Sequence, residues 1–264
     1  TLEENSSDTD AWNQKYDLFS NKAKGEGNWI LRDLDKTSID ERINLKEGLN
    51  SFSQSWESYL EECRGKQNGK EYFRNNKDHI AHKIFIENIP ELFKSLIDEN
   101  KYTVDSSLGE GNTAVIPWLC IMHKEVTDSV QERFYIAYLF SRNAKKVFLS
   151  IGIGATQFSR IYGQSISKCV PKIYNAKELF KNTFNHLAPN NKNEAMDLFD
   201  ISDTKFIRSE LSQNPKFKIA AYEAGCFFTK SYSLGESLDE IELQSDLREY
   251  LRTYERIIDD PISI

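Results

Sequence analysis

SSLGEGNTAVIPWLCIMHKEVTDSVQERFYIAYLFSRNAKKVFLSIGIG, residues 106–154, decides the fold. It holds three apolar runs, Ala114–Met122, Arg133–Ser141 and Lys145–Ile153. Pro117 interrupts the first. A proline cannot donate to a strand ladder, so it marks an edge, a bulge or a strand start. Asn143 and Ala144 lie between the other two runs, and a hairpin is the simplest connection. Within the middle run, Tyr135, Ala137 and Leu139 alternate with Phe134, Ile136, Tyr138 and Phe140. Successive strand side chains point to opposite faces. The second set can fill a core. The first set puts a small residue between Tyr and Leu, leaving space for a flat guest. A strand buried on both faces is the competing reading.

Working outward, Phe217–Tyr222 and Cys226–Tyr232 read as a second β-rich patch with Gly225 at the turn. Ser237 and Glu240 have capping-box spacing. Ile241, Leu247, Tyr250, Leu251, Tyr254 and Ile258 then form the apolar stripe of a C-terminal helix that ends by Pro261. On the other side, Leu45, Leu49, Phe52, Trp56 and Leu60 repeat every three to four residues, the period of an amphipathic helix. A loop is expected around Gly65–Gly69, then a helix pair broken near Pro90. The fold class is α/β (α+β), a central mixed, mainly antiparallel sheet flanked by N- and C-terminal helices. The expected domain is 45–258. Residues 1–44, in which Trp12, Tyr16, Phe19 and Trp29–Leu31 suggest short helices, are an extension or the tail of a preceding domain, and 259–264 are a tail. The first residue is Thr1, so the sequence reads as part of something longer.

Among 264 residues no run of about 18 apolar residues occurs, and no membrane span is expected. Cys63, Cys120, Cys169 and Cys226 lie far apart without CxxC spacing, which points to free thiols in a reducing, cytoplasmic setting. The net charge of −7 argues against nucleic acid, but its distribution does not. From Ser141 to Lys192 there are nine cations and one anion, or +8, and from Glu236 to Asp260 nine anions and three arginines, or −6. Such a dipolar chain can present a basic face.

Catalytic machinery is not legible. Gly65–Lys70 lacks P-loop order, and Gly152, Gly154 and Gly163 make no dinucleotide fingerprint. His79 and His82 could share a helix face but lack further ligands at metal spacing. No nuclease or Ser–His–Asp set can be assembled. The expectation is a non-enzyme with no metal and no cofactor.

The GEGN turn at Gly109–Asn112, the Pro117–Trp118 strand, Tyr135 at the start of the next strand and Gly152 at the end of the third carry a resemblance. Together with YEAGCFFTKSYSL and the Asp246–Tyr254 helix, they resemble the DNA-binding N-terminal domain of McrB-type modified-cytosine restriction proteins, over roughly Leu45 to Ile258. The resemblance implies a partner, double-stranded DNA with a modified cytosine that is swung out of the duplex into an aromatic pocket. It also implies an effector nuclease or NTPase, as another domain or subunit. Carried over by position, the pocket is Trp118, Tyr135 and Leu139, and the DNA-contacting loop is Gly109, Glu110, Gly111 and Asn112. The family's best-known member has a gap-filling aromatic where this chain has Glu110, which cannot plug a base stack. Arg142, Lys145 and Lys146 at the hairpin tip, with Lys168 and Lys172 beyond, are the expected phosphate contacts. Two other readings stay open: sequence-specific DNA recognition without modified-base readout, and a protein-interaction module of a defence complex.

Overall fold

The computed structural model describes residues 19–21, 29–31, 44–67, 70–190, 194–199 and 213–260. The chain divides into two compact units, 1–44 and 45–264. In the first, β1 (Phe19–Asn21) and β2 (Trp29–Leu31) pair antiparallel, so these residues are strands and not the short helices expected.

In the second unit the elements run in this order: α1 (Leu45–Cys63), β3 (Arg64–Gln67), β4 (Lys70–Phe73), α2 (Ile80–Lys83), α3 (Ile89–Lys94), β5 (Tyr102–Ser107), β6 (Trp118–His123), β7 (Phe134–Phe140), β8 (Lys146–Ile153), α4 (Ala155–Tyr162), α5 (Val170–Thr183), α6 (Gln213–Gly225), β9 (Cys226–Ser233) and α7 (Glu240–Ile258). Strands β5-β6-β7-β8-β9 form one sheet in sequence order, and every pair is antiparallel. The class is α+β with helices at both ends of the domain, as expected, and the sheet contains no parallel pair among the described residues.

Burial on both faces of the sheet builds two cores. On one face Phe134, Ile136, Tyr138 and Phe140 of β7 pack with Phe52 and Trp56 of α1, Phe93 of α3 and Tyr250 and Tyr254 of α7. Full burial of such a side chain is worth about 1.5–3 kcal/mol, so this aromatic layer is the main source of stability. Tyr254 anchors α7 to the sheet: its hydroxyl donates to Phe134 O (2.8 Å) and accepts from His123 N (3.2 Å). On the opposite face Tyr135, Ala137 and Leu139 pack with Ile219 of α6 and with Leu198 and Phe199.

Four local expectations are corrected. Phe217–Tyr222 is helix: Phe217, Ala221 and Ala224 face Ile173 of α5, while Ile219 and Tyr222 face the sheet. A helix buried on two sides carries apolar residues at 217, 219 and 221, and that run imitates strand alternation. Pro90 does not break the helix. A π-helical turn, Ile84–Asn88, precedes α3 and puts Pro90 in the first turn of α3, where its missing N–H costs least. The N-cap of α7 is Asp239, which accepts from Glu242 N (2.9 Å), and not Ser237. Glu240 instead accepts from Leu45 N (3.3 Å) and Lys46 N (2.7 Å), and so caps α1 from the far end of the domain. Finally, the loop expected near Gly65–Gly69 falls largely in the β3–β4 hairpin.

Candidate functional site

Strand register explains why a depression forms beside β7. On the face away from the main core, Trp118 lies opposite Leu139, Cys120 opposite Ala137, and Tyr135 opposite Gly152, which in turn faces Cys226. Directly opposed residues project to the same side. The middle of this grid is held by Ala137 and Gly152, which have little or no side chain. Large groups rise around them, Trp118 and Leu139 at one end and Tyr135 at the other. The result is a cavity of ≈ 80 Å³, walled by Tyr222 of α6. An apolar cavity of about 150 Å³ holds one benzene ring. A pyrimidine therefore enters this one only when a wall residue turns aside.

Beside the cavity lies a cleft of ≈ 690 Å³. Trp118, Gln131, Thr156 and Tyr222 line both spaces and stand between them. Gly109, Glu110, Gly111 and Asn112 line the cleft's rim. The expected pocket residues Trp118, Tyr135 and Leu139 and the expected loop thus line two adjoining spaces, with Trp118 common to both.

The loop is held from below. Gly109 has φ +91°, and a Cβ there would lie 2.1 Å from Asn112 O, so only glycine fits. Gly111 has open space around its Cα. Asn75 ties both glycines: its Nδ2 donates to Gly109 O and its backbone N–H to Gly111 O (3.2 Å), while its Oδ1 accepts from Tyr59 of α1 (2.9 Å). Thr113 N donates to Phe73 O (2.9 Å). These bonds preorganise the loop, which lowers the ordering cost of binding.

Among the described residues, the cavity lining carries no charged side chain. Burial pushes the Tyr222 phenol up to about 12, the Cys226 thiol up to about 11, and Tyr135 and Cys120 well above their ordinary values. At neutral pH all four are uncharged. Such a hole suits a flat neutral guest and disfavours a phosphate.

Of the expected phosphate contacts, Arg142 is corrected. It is 5 % exposed, and its Nη1 donates to Ala114 O and Val115 O (both 3.3 Å). The guanidinium also sits 5.5 Å from the Phe73 ring centroid, and burial lowers its pKa to about 10, so it remains a cation at neutral pH. It braces the segment between the loop and Trp118 and does not face solvent. Lys145 is exposed and Lys146 half-buried at the β7–β8 turn. Lys168 and Lys172 are exposed near the start of α5, which packs against the face of α6 turned away from the cavity. None of these four lines the cleft. Among the described residues, the cation that does is Lys218 of α6. Lys192 lies outside the described residues.

Sequence reasoning missed Tyr222, Gly152 as cavity floor, and Lys218. The signal for Tyr222 and Lys218 was hidden by reading α6 as a strand. Among the described residues, no group of His, Cys, Asp and Glu is arranged to hold a metal ion. His79 is an N-cap, its Nδ1 accepting from Ala81 N (3.1 Å). No described helix is long and apolar enough to cross a membrane.

The sequence model of the family described as "MrcB-like, N-terminal domain" matches residues 63–259, about three quarters of the chain. No curated protein matches it.

Proposed function

Because the chain belongs to the MrcB-like N-terminal domain family, the McrB-type family, which suggests DNA binding within a restriction system, we propose that it reads modified cytosine by base flipping. The observation that carries this reading is the uncharged cavity between Trp118, Tyr135, Leu139 and Tyr222, adjoining a cleft lined by the Gly109–Asn112 loop. Extruding a base costs a few kcal/mol of pairing and stacking. Stacking against an aromatic face returns about 1–3 kcal/mol. The modifying group on the base supplies contacts with the cavity floor at Ala137 and Gly152 that an unmodified base lacks.

In this reading Trp118 and Tyr222 gate the passage and flank the entering ring. Tyr135 and Leu139 close the two ends. Glu110 does not fill the gap in the stack. Its carboxylate is suited to accept a hydrogen bond from a cytosine amino group at the cleft rim. Phosphate contacts fall to Lys145, Lys146, Lys168, Lys172 and Lys218, with Arg142 withdrawn because its donors serve Ala114 and Val115. The domain acts as a reader. Cleavage and nucleotide hydrolysis belong to another domain or subunit. Four buried free cysteines suit a reducing compartment such as the cytoplasm.

The test is fluorescence anisotropy with one duplex in two forms, cytosine and 5-methylcytosine, at fixed salt. The chain binds the methylated duplex more tightly, and Trp118→Ala or Tyr135→Ala removes that preference while weak general binding persists. A preference unchanged in both variants refutes the pocket. Equal binding by the unaltered chain shifts the reading to unmodified DNA, and no binding shifts it to a protein-interaction module.

A further inference from the structure

The β3–β4 hairpin lies beside the Gly109–Asn112 loop and is joined to it through backbone. Arg74, the residue after β4, forms an isolated antiparallel bridge with Asn112. Bridge partners project to the same side, and alternate residues along a strand share a face. Asn112 lines the cleft, so Arg74 is presented on the cleft side. Tyr72 shares that face, and Lys70 holds the next register position on it. Phe73 points the other way and packs on the main core.

Two features mark this face as built for a partner. Gly65 sits directly across from Tyr72, and a Cβ there would lie 2.2 Å from Tyr72 Cζ. The tyrosine ring therefore lies flat over a glycine, 40 % exposed, held in place and open to solvent. Charge is the second feature. The register positions on either side of Tyr72 along this face are Lys70 and Arg74, both cations. A two-stranded ribbon fits a DNA groove, and cations interleaved with an aromatic suit a phosphate backbone.

We propose that the β3–β4 hairpin is a second DNA-contacting arm, with Lys70 and Arg74 on phosphates and Tyr72 against the groove wall beside the flipped base. The proposal rests on the cleft's binding DNA, but not on which base it reads. The arm contributes affinity without discrimination, because backbone contacts position the protein and carry no sequence information.

The experiment measures binding of the methylated and unmethylated duplexes across salt concentrations for the unaltered chain and for Lys70→Gln with Arg74→Gln. Each phosphate contact adds about 0.9 to the slope of log K against log salt. The double variant should show a slope shallower by about 1.8. Doubling the salt then weakens the unaltered chain about 3.5-fold more than the variant. The ratio between the two duplexes stays the same in both proteins, and Arg74→Lys retains the slope. In the unaltered chain, acetylation of Lys70 by a water-soluble reagent slows when duplex is added, a readout independent of how the variant folds. An unchanged slope, or Lys70 acetylated equally fast with and without duplex, overturns the arm while leaving the cleft reading intact. Salt-sensitive binding without methyl preference refutes the pocket reading and still tests the arm. A chain that binds no duplex removes both.

Discussion

Replacing Gly152 with alanine tests the cavity at its floor. Gly152 lies in β8, and an added Cβ would stand 3.3 Å from Tyr135 Cε2, 3.6 Å from Cys226 Sγ and 3.7 Å from Ala137 Cβ. The backbone there does not have the positive φ that would strain alanine. Only the Tyr135 contact is tight, and a shift of a few tenths of an ångström relieves it. Overpacking costs about 1–3 kcal/mol in general, and this case falls at the low end. Exchanging glycine for alanine in a strand returns about 0.5–1 kcal/mol through chain entropy. The net effect on stability is close to zero, so the melting temperature should move by no more than about 4 °C. Binding is affected far more. The new methyl occupies the floor of a cavity of only ≈ 80 Å³, where the modifying group of a flipped base would rest. A single methyl-sized contact in an apolar pocket is worth about 1–3 kcal/mol, or about 10- to 200-fold. Gly152→Ala should therefore lose that factor on the methylated duplex, keep its affinity for the unmethylated one, and bring their ratio near one. Anisotropy titrations on the two duplexes give the ratio directly. A Gly152→Ala protein that folds and still prefers the methylated duplex as strongly as before refutes the assignment of this cavity to the base.

Other expectations concern the surroundings. Arg142→Gln leaves part-buried carbonyls short of a donor, so urea denaturation should show a loss of about 1–3 kcal/mol with the salt slope of DNA binding unchanged, and a shallower slope at full stability would return Arg142 to the phosphates. Lys145→Ala with Lys146→Ala should weaken both duplexes equally and reduce the salt slope by about 1–2, whereas a loss confined to one sequence would make these lysines base readers. The Cys226 thiol is raised by burial from 9.0 to about 11, so the folded chain holds its proton after the unfolded chain has released it. Its contribution to stability is complete below about pH 9 and declines as pH rises toward 11. Cys226→Ser should flatten that part of a stability–pH profile, and an unchanged profile would remove Cys226 as the source.

The parts of this molecule that were legible are those where one period governs one face. The alternation of Tyr135, Ala137 and Leu139 against Phe134, Ile136 and Tyr138 maps onto two separate cores. The stripes of α1 and α7 reach the same core for the same reason. Legibility failed where a segment serves two neighbours. Phe217, Ile219 and Ala221 divide between α5 and the sheet, and the resulting run loses its helical period. Arg142 failed differently. An arginine at a hairpin tip is expected in water, and only the fold brings the carbonyls of Ala114 and Val115, 28 and 27 residues away, to its guanidinium. The cap at Glu240 was read correctly as a cap residue but assigned to the wrong helix, because its partners are 195 and 194 residues distant.

That last bond has a bearing on how the chain is made. Leu45 and Lys46 leave the ribosome long before Glu240 does, and at about 5–20 residues per second the interval is roughly 10–40 s. Through that time α1 lacks the carboxylate that closes its first turn, and the core that α1 joins lacks Tyr250 and Tyr254 of α7. The nascent domain thus carries an incomplete aromatic core until α7 is synthesised. Premature termination anywhere before α7 would yield a sticky product for chaperones and proteases, not a shortened reader.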